Sequence, residues 1–483
     1  MGVDLGTTSA KAITYDRRGR QMGRADREYP LDTSRTGRAE QAPQKILVAT
    51  VEIIGETARA TRENGGHIAG LCFSSAMHSL LAVDGSGTPL TPVMTWADNR
   101  AVAQAKRIAD EHTGLYHRTG TPPHPMSPLT KLLWFREEDP QTWRAAHRWL
   151  SVKEYVLYHL TGEFAADHST ASATGLFNLR ELDWDSGALD LLQLPKDRLS
   201  PTVPTDHSLK LGEEYTRRLG LEAGVPLIVG ASDGALANLG VGATEPGVAA
   251  LTIGTSGAVR MVVSEPKTDP EGRTFCYALG PGRWIVGGPI NNGGLALQWA
   301  RERLCPDLDF EEMERLAQEA PAGSGGLIFL PYLSGERAPH WNSGAKGVFF
   351  GLTLEHGREH LVRTVMEGVA CQLYTVARTL EAVDEAPREY RAGGGFANSK
   401  LWRQILSDVF GQEILYPDSP ESSCFGAALF GMSALGLLDG PDDAQRLVEI
   451  SHRQPPIPQN ATRYTEQLQT FSRLYDRLEP EFG

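Results

Sequence analysis

No two of the five cysteines in this 483-residue chain form a CxxC pair. Cys72, Cys276, Cys305, Cys371 and Cys424 lie far apart, and their number is odd. This spacing disfavours both a disulfide framework and a cysteine zinc site. We therefore expect reduced, intracellular thiols.

Basic residues are also in short supply, with 47 Lys and Arg against 60 Asp and Glu, a net charge of −13. This balance argues against nucleic acid or an anionic membrane as the main partner. The sequence has no basic-then-apolar leader and no apolar run long enough to cross a bilayer. We expect a cytoplasmic protein. Because 41% of its residues are hydrophobic, we also expect large cores and at least two domains.

Two common nucleotide-binding patterns are missing as well. The chain has no GxxxxGK[ST] loop and no strand-borne GxGxxG followed by an acid. One zinc-protease pattern, HxxEH, does occur in "HGREH" from His356 to His360. It opens a stretch with the spacing of an ordinary amphipathic helix and has no evident third ligand, so a zinc hydrolase is only a minor alternative.

The stretch "GVDLGTTSAK", residues 2 to 11, combines a tight turn with hydroxyl side chains and one acid. Gly6 allows the turn and a close approach, and Thr7 and Thr8 offer hydroxyls and amides that suit phosphate oxygens. Asp4 requires a cation between its carboxylate and a phosphate, which indicates a metal-bound nucleotide. The alternative is a hairpin turn whose hydroxyls are only solvated.

A similar turn, Gly254-Thr255-Ser256-Gly257, lies 248 residues further on. Each turn follows an apolar strand and precedes another strand. Because strands and helices alternate along both halves, we expect an α/β fold built by internal duplication. The two turns would then hold one polyphosphate from both sides of a cleft. A chance similarity between two Gly/Thr turns is the alternative.

Two glycine-rich helix starts predict a nucleoside site. In "GGGFANSKLW" the glycines allow a flat ring to lie against bare backbone, and Asn398 can hydrogen-bond that ring or its ribose. In "NNGGLALQWA", Gly294 and Gln298 lie one turn apart on the same helix face. The alternative for the first stretch is an ordinary helix N-terminus after a loop.

An acid stands where α/β folds place their chemistry. Asp233 directly follows the apolar run "PLIVG" and precedes a helix. It could cap that helix, but Ser232 could do so equally well. This would leave Asp233 available as a base.

These motifs together resemble the FGGY carbohydrate kinases. The turns "GVDLGTTSAK" and "TIGTSGAV", the stretch "AGGGFANSKLW" and two further signatures, "MSPLTKLLWFREE" and "GVFFGLTLEHGREHLVRTVMEG", occur in the family's order. The second signature departs at Thr364, where the family usually has Ala or Ser. The resemblance implies two duplicated ribonuclease-H-like domains of the actin and hexokinase type flanking an ATP cleft. We place them at 1–243 (sugar side) and 244–450 (nucleotide side), followed by a linker and terminal helix over 451–483.

The resemblance also implies site residues, with ATP and Mg²⁺ as cofactors and a possible homodimer. Asp233 would be the general base and would share the metal with Asp4. The nucleotide would contact a larger set: Asp4, Gly6, Thr7, Thr8, Gly254, Thr255, Ser256, Gly294, Gln298, Gly394 and Asn398. The substrate would contact Met77, His78, Trp96, Asp98, Arg100, His124 and Asp233.

Within the family, "SSAMHSLL", "TGTPPHPMSPLTKLLW" and "LPYLSGERAPHWN" most resemble the gluconate kinases of bacteria. We therefore expect phosphorylation of D-gluconate to 6-phosphogluconate. His78, Arg100 and His124 are the candidate donors for its carboxylate. D-Xylulose is the alternative substrate, and a non-catalytic actin-like or chaperone-like ATPase is the alternative of another class.

Overall fold

A computed structural model of the chain describes residues 1–418, 421–438 and 440–482. The strands of the first half are β1 (Gly2–Leu5), β2 (Ser9–Tyr15), β3 (Gln21–Glu28), β4 (Glu40–Gln41), β5 (Leu71–Ser75), β6 (Leu81–Val83), β7 (Val93–Met94), β8 (Arg148–Leu150), β9 (Ala166–Asp167), β10 (Phe177–Asn178), β11 (Asp183–Trp184), β12 (Thr202–Val203), β13 (Ser208–Lys210) and β14 (Pro226–Ser232). Its helices are α1 (Pro43–Glu63), α2 (Val102–Glu111), α3 (Thr113–Thr119), α4 (Pro128–Glu138), α5 (Pro140–Ala145), α6 (Val152–Thr161), α7 (His168–Ser172), α8 (Ser186–Leu192), α9 (Glu213–Arg218) and α10 (Asp233–Gly240).

The second half has nine strands and seven helices among the described residues. The strands are β15 (Val248–Ile253), β16 (Gly257–Val263), β17 (Phe275–Gly280), β18 (Arg283–Ile290), β19 (Ile328–Leu330), β20 (Val348–Phe350), β21 (Glu389–Gly393), β22 (Ile414–Pro417) and β23 (Ile450–Gln454). The helices are α11 (Gly294–Arg303), α12 (Phe310–Glu319), α13 (Arg358–Val383), α14 (Lys400–Phe410), α15 (Ser422–Ala434), α16 (Pro441–Arg446) and α17 (Pro458–Leu478).

The two large sheets repeat one topology. In the first sheet, β3, β2 and β1 form an antiparallel meander, and β5 and β14 continue it parallel to β1. In the second sheet, β18, β16 and β15 form the meander, and β21 and β22 continue it. The turns of Gly6 and Gly254 join the first two strands of their sheets. The predicted internal duplication is confirmed.

Burial follows the sequence pattern of these strands. β14 reads as a nearly continuous apolar run and is buried along almost all its length, as expected for a parallel strand covered on both faces. In β1, Val3 and Leu5 are fully buried. The helix α1 starts with Pro43, whose missing N–H costs nothing at that position, and it buries Ile46 and Ile53.

One helix crosses from the second half of the sequence to the first sheet. α15 packs against β1, β5 and α10, although the predicted boundaries assign it to 244–450. Glycines permit this close approach, since a Cβ on Gly240 would lie 1.9 Å from the carbonyl oxygen of Ser422. The base of the cleft is therefore formed by α10 and α15 together.

The C-terminal segment is attached to the second half. The predicted helix is present as α17, which packs on α13, α14 and β19. The preceding residues, predicted as a linker, begin as the edge strand β23, which pairs antiparallel with β22. Only residues 455–457 therefore lie between strand and helix.

Two further observations concern the composition. All five cysteines are free and buried. Over 1–418, 421–438 and 440–482, no helix is both long and apolar enough to span a bilayer.

Candidate active site

The first phosphate turn is fixed by bonds to its carbonyl oxygens. The amide of Tyr29 donates to the Thr8 carbonyl at 3.1 Å, and the side chain of Gln41 donates to the Thr7 carbonyl at 2.6 Å. The indole N–H of Trp96 donates to Thr7 Oγ1 at 2.9 Å. Within the described residues, the amides of Thr7 and Thr8 have no acceptor of their own. They are therefore available to an anionic ligand.

The second turn is fixed to the start of α11. The amide of Gly294 donates to the Gly254 carbonyl at 2.7 Å, and the amide of Gly293 donates to the Thr255 carbonyl at 3.2 Å. A Cβ on Gly293 would lie 2.4 Å from the Ser256 carbonyl oxygen, so only glycine allows this approach. The turn and the helix N-terminus thus form one unit, and such units favour anions.

A cavity of about 490 Å³ opens beside the second turn. It brings together five of the predicted nucleotide residues: Gly254, Thr255, Gly294, Gln298 and Asn398. Gly394 precedes the lining residue Gly395. The φ angle of Gly394 is 113°, and a Cβ on Gly394 would lie 2.3 Å from the Ile253 carbonyl oxygen. Backbone and two side-chain amides form one side of the cavity.

Most of its other lining residues are apolar and were not predicted. They are Leu295, Leu297, Phe310, Met313, Val362, Met366, Phe396 and Trp402. Several of these belong to α12 and α13, whose apolar spacing indicates only an ordinary amphipathic helix. The size and mixed lining of the cavity fit a purine ring and ribose.

Two carboxylates lie at the base of the cleft. Asp4 Oδ1 accepts a bond from Ser74 Oγ at 2.6 Å. Asp233 is the first residue of α10 and accepts from the Gly234 amide at 2.6 Å, while Ser232 caps the helix as anticipated. Burial and the nearby charge of Asp233 raise the pKa of Asp4 to about 6. The two acids are thus close enough to repel each other, and a cation would relieve that repulsion.

This pair fits Mg²⁺, which often binds through one or two carboxylates, waters and substrate phosphates. Burial raises the pKa of Asp233, and the positive charge of Arg260 opposes the rise. No group of three or more His, Cys, Asp or Glu residues converges in the described part of the chain. The histidines of "HGREH" instead bond locally, with the Gly357 amide donating to His360 Nδ1 at 3.2 Å.

The predicted sugar residues Met77, His78 and Trp96 lie next to the first turn. Met77 and Trp96 line a small cavity with Gly6 and Thr7, and Met77 and His78 line another behind it. His78 is left-handed, with φ 65°, and its Nδ1–H donates to the Ala173 carbonyl at 2.8 Å. Its Nε2 is therefore a hydrogen-bond acceptor, 3.5 Å from the Tyr277 hydroxyl.

Neither predicted histidine carries a charge. Burial, with the nearby charges of Lys131 and Arg337, lowers the pKa of His78 to about 3. Burial and Arg337 do the same for His124. His124 Nδ1 accepts from the Met126 amide at 3.2 Å, so Nε2 holds the proton. The two rings can thus accept from and donate to sugar hydroxyls as neutral groups.

Arg100 and Asp98, both predicted as substrate ligands, pair with each other in the structure. Arg100 Nη2 donates to Asp98 at 2.8 Å and to Glu40 at 2.5 Å, and its Nε also bonds Asp98. Asp98 is fully buried and also accepts from the Ala39 amide at 3.0 Å. These groups satisfy each other inside the first half, because a buried guanidinium requires a carboxylate partner. The charge of Arg100 is therefore already paired with two carboxylates.

Two arginines of the second half lie at the site, the partly buried Arg260 and the buried Arg337, and sequence reasoning missed both. Arg260 of β16 lies against α10, since a Cβ on Gly234 would be 2.9 Å from its Nε. Arg337 stacks on Trp96, with its Cζ 4.9 Å from the ring centroid. The only sequence signal was the charged pair in "SGERAPHWN".

The N-terminal domain model of the FGGY family of carbohydrate kinases matches residues 1–240, and the C-terminal domain model matches 249–435. The gluconokinase of Bacillus subtilis (strain 168) is 42% identical, over 100% of this chain and 96% of that protein. The chain belongs to the FGGY family of carbohydrate kinases. The resemblance inferred from the motifs is confirmed, and the non-catalytic ATPase is set aside.

Solved structures agree with this assignment. A gluconate kinase from Lactobacillus acidophilus matches with TM-score 0.94 and 35% identity, over 99% of this chain and 97% of that one. A xylulose kinase from the same organism matches with TM-score 0.95 and 35% identity, over 100% and 98%. The FGGY kinase has the predicted two-domain fold of the actin and hexokinase type.

Proposed function

We propose that this FGGY kinase transfers the γ-phosphoryl group of ATP to the 6-hydroxyl of D-gluconate, with Asp233 as general base. The observation that carries the proposal is the position of Asp233. It stands at the start of α10, beside Asp4, and its pKa responds to Arg260 and Arg337. The charge of Asp4 and the charges of two arginines from the second half thus act on this one carboxylate.

Different residues bind the nucleotide, the metal and the sugar during phosphoryl transfer. The free amides of the Gly6 and Gly254 turns hold the phosphates, and the apolar cavity holds the nucleoside. Asp4 and Asp233 would hold Mg²⁺, which supplies charge neutralisation on the phosphates. Met77, His78 and His124 orient the sugar through neutral contacts.

Asp233 then accepts the hydroxyl proton as the sugar oxygen bonds to the γ-phosphorus, and the bond to the β-phosphate oxygen breaks to release ADP. Trp96 connects the first phosphate turn with the second half of the chain, because its indole N–H bonds Thr7 and its ring packs against the guanidinium of Arg337. A closed cleft keeps water away from the γ-phosphate. A cytoplasmic location and a homodimer both stay predictions.

D-Gluconate is preferred to D-xylulose because the 42% identical relative is a gluconokinase. D-Xylulose is the second candidate, because the xylulose kinase structure matches the fold equally well. An ADP-release assay at equal concentrations of D-gluconate, D-xylulose and D-glucitol tests the choice. We expect the highest kcat/KM with gluconate. Faster turnover of xylulose would reject gluconate and keep the kinase.

Asp233→Asn tests the base. We expect loss of turnover by at least a factor of about 100, with ADP affinity unchanged, because general bases contribute about 10²–10⁴-fold. Asp185→Asn is the matched control, since Asp185 caps α8 outside the site and asparagine caps as well. Turnover of Asp233→Asn within tenfold of the parent would remove Asp233 from this role.

A further inference from the structure

Five basic side chains are buried in the described part of the chain: Lys131, Lys153, Arg337, Arg363 and Arg391. Three of them have a carboxylate partner within 2.7 Å, namely Asp167 for Lys153, Glu367 for Arg363 and Glu389 for Arg391. Lys131 has no exposed surface and donates to the carbonyls of His78 and Thr95. Arg337 is thus the buried arginine without a carboxylate within 4.0 Å among the described residues.

The Arg337 guanidinium is held in one orientation. Its Nε donates to Asn291 Oδ1 at 2.6 Å, and its Nη2 donates to the Ile290 carbonyl at 2.9 Å. Trp96 of the first half supports its flat face. Nη1 has no partner among the residues that the structure describes. A fixed guanidinium therefore presents one free edge at the interface of the two halves.

Among the described residues no carboxylate forms an ion pair with Arg337, although Glu336 next to it is the charge that acts most on its pKa. Burial lowers the pKa of Arg337 to about 10, so it stays protonated at pH 7. Glu336 precedes it, but that carboxylate accepts from the amides of Asn291 and Arg337. Burial raises the pKa of Glu336 to about 7. A buried cation without a partner is costly, so an anionic ligand is expected here.

The surroundings of Arg337 belong to the sugar side. Its charge lowers the pKa of both His78 and His124, which were predicted to contact the substrate. The charges that act most on Asp4 are instead Asp233, Lys11 and Glu421. Arg337 also lies over Trp96, which lines the small cavity beside the first turn together with Met77.

We propose that Arg337 binds the carboxylate of the sugar-acid substrate through Nη1, and so selects gluconate over neutral sugars. This inference rests on the proposed gluconate kinase activity. The substrate spans from Asp233, at its 6-hydroxyl, to Arg337, at its carboxylate. His78 and His124 supply neutral hydrogen bonds, and the positive charge comes from the second half.

The test compares D-gluconate with D-glucitol, its neutral counterpart with an alcohol in place of the acid. In Arg337→Met, we expect kcat/KM for gluconate to fall about ten- to a hundredfold while the value for glucitol stays within threefold. Arg337→Lys keeps the charge without the planar donor, so its kcat/KM for gluconate should fall less than that of Arg337→Met. ADP affinity, measured by calorimetry, reports whether each variant keeps its fold.

Arg100→Met is the matched control. Arg100 also lies over a tryptophan, with its Cζ 5.0 Å from the Trp134 ring centroid, but its charge is already paired with the carboxylates of Glu40 and Asp98. Its loss should change kcat/KM for gluconate and for glucitol by the same factor, so the ratio of the two values should stay that of the parent.

The outcomes separate the two proposals. A parallel loss of both substrates in Arg337→Met would assign Arg337 to the phosphate or the fold and overturn the inference. A collapse of the ratio in Arg100→Met alone would also overturn it. A parent enzyme that prefers glucitol or xylulose would reject gluconate itself, and the carboxylate role with it.

Discussion

Gly426→Ala tests whether the crossing of α10 and α15 positions the catalytic base. Gly426 lies in α15, and Asp233 is the first residue of α10. A Cβ at Gly426 would lie 1.8 Å from the Leu236 carbonyl oxygen, whereas ordinary contact begins at 3.4 Å. The contact is with backbone, so no side-chain rotation can relieve it, and the helices must separate.

The expected magnitude combines two opposing terms. Replacing glycine by alanine within a helix gains about 1 kcal/mol, while overpacking a tight interface costs about 1–3 kcal/mol or more. Because a contact of 1.8 Å lies at the severe end of that range, we expect a net loss of about 2 kcal/mol, or a fall in Tm of about 4–8 °C. Because α10 carries Asp233, a displacement of about 1 Å should lower kcat about a hundredfold.

Thermal unfolding and kcat at 25 °C, where the variant is folded, measure the two effects separately. Gly55→Ala is the matched control, since the nearest heavy atom to its Cβ, in Leu219, is 4.0 Å away. That helical glycine should gain about 1 kcal/mol of stability with no change in kcat. A Gly426→Ala protein with parental Tm and kcat within twofold would refute the positioning argument.

Three further outcomes are expected. Thr8→Val and Thr255→Val should each weaken ATP binding by about 1.5–3 kcal/mol in calorimetry, and an effect of only one of them would contradict the two-sided grip. Because the pKa of Asp4 is raised to about 6, Asp4 gains a proton as pH falls below that value, so affinity for Mg·ATP should weaken below pH 6 and stay constant above it. An affinity that is flat from pH 7 to 5 would remove Asp4 from the metal site. Small-angle scattering should give a smaller radius of gyration with sugar plus a non-hydrolysable nucleotide, and an unchanged radius would argue against closure.

The nucleotide side could be predicted because it is built from backbone. Gly293 and Gly394 are required by approaches of 2.4 and 2.3 Å between a would-be Cβ and a carbonyl oxygen. Such contacts leave glycine in the sequence, where it is visible without any knowledge of the fold. The apolar wall from Phe310 to Met366 leaves no such mark, because a core helix and a cavity wall have the same spacing.

The fold was predictable for a related reason. The turns after β1 and β15 combine a buried strand with Gly-Thr, and their repetition half a chain apart indicated the duplication. The crossing of α15 onto the first sheet could not be predicted, because it depends on Gly240 and Gly426 meeting across about 190 residues.

The sugar side was harder, because its chemistry depends on which charges are already paired. Arg337 is buried and Arg100 is partly buried, and each lies over a tryptophan ring. Arg100 pairs with Glu40, 60 residues earlier, and with Asp98. Within the part of the chain that the structure describes, the Arg337 guanidinium bonds only the neutral amide of Asn291 and a backbone carbonyl. Sequence proximity to the Met-His pair favoured Arg100 as the carboxylate ligand. A guanidinium whose charge is already paired with two carboxylates binds a third only weakly. The free charge, and hence the expected anion site, follows from pairing in the folded chain rather than from the motif in which the arginine stands.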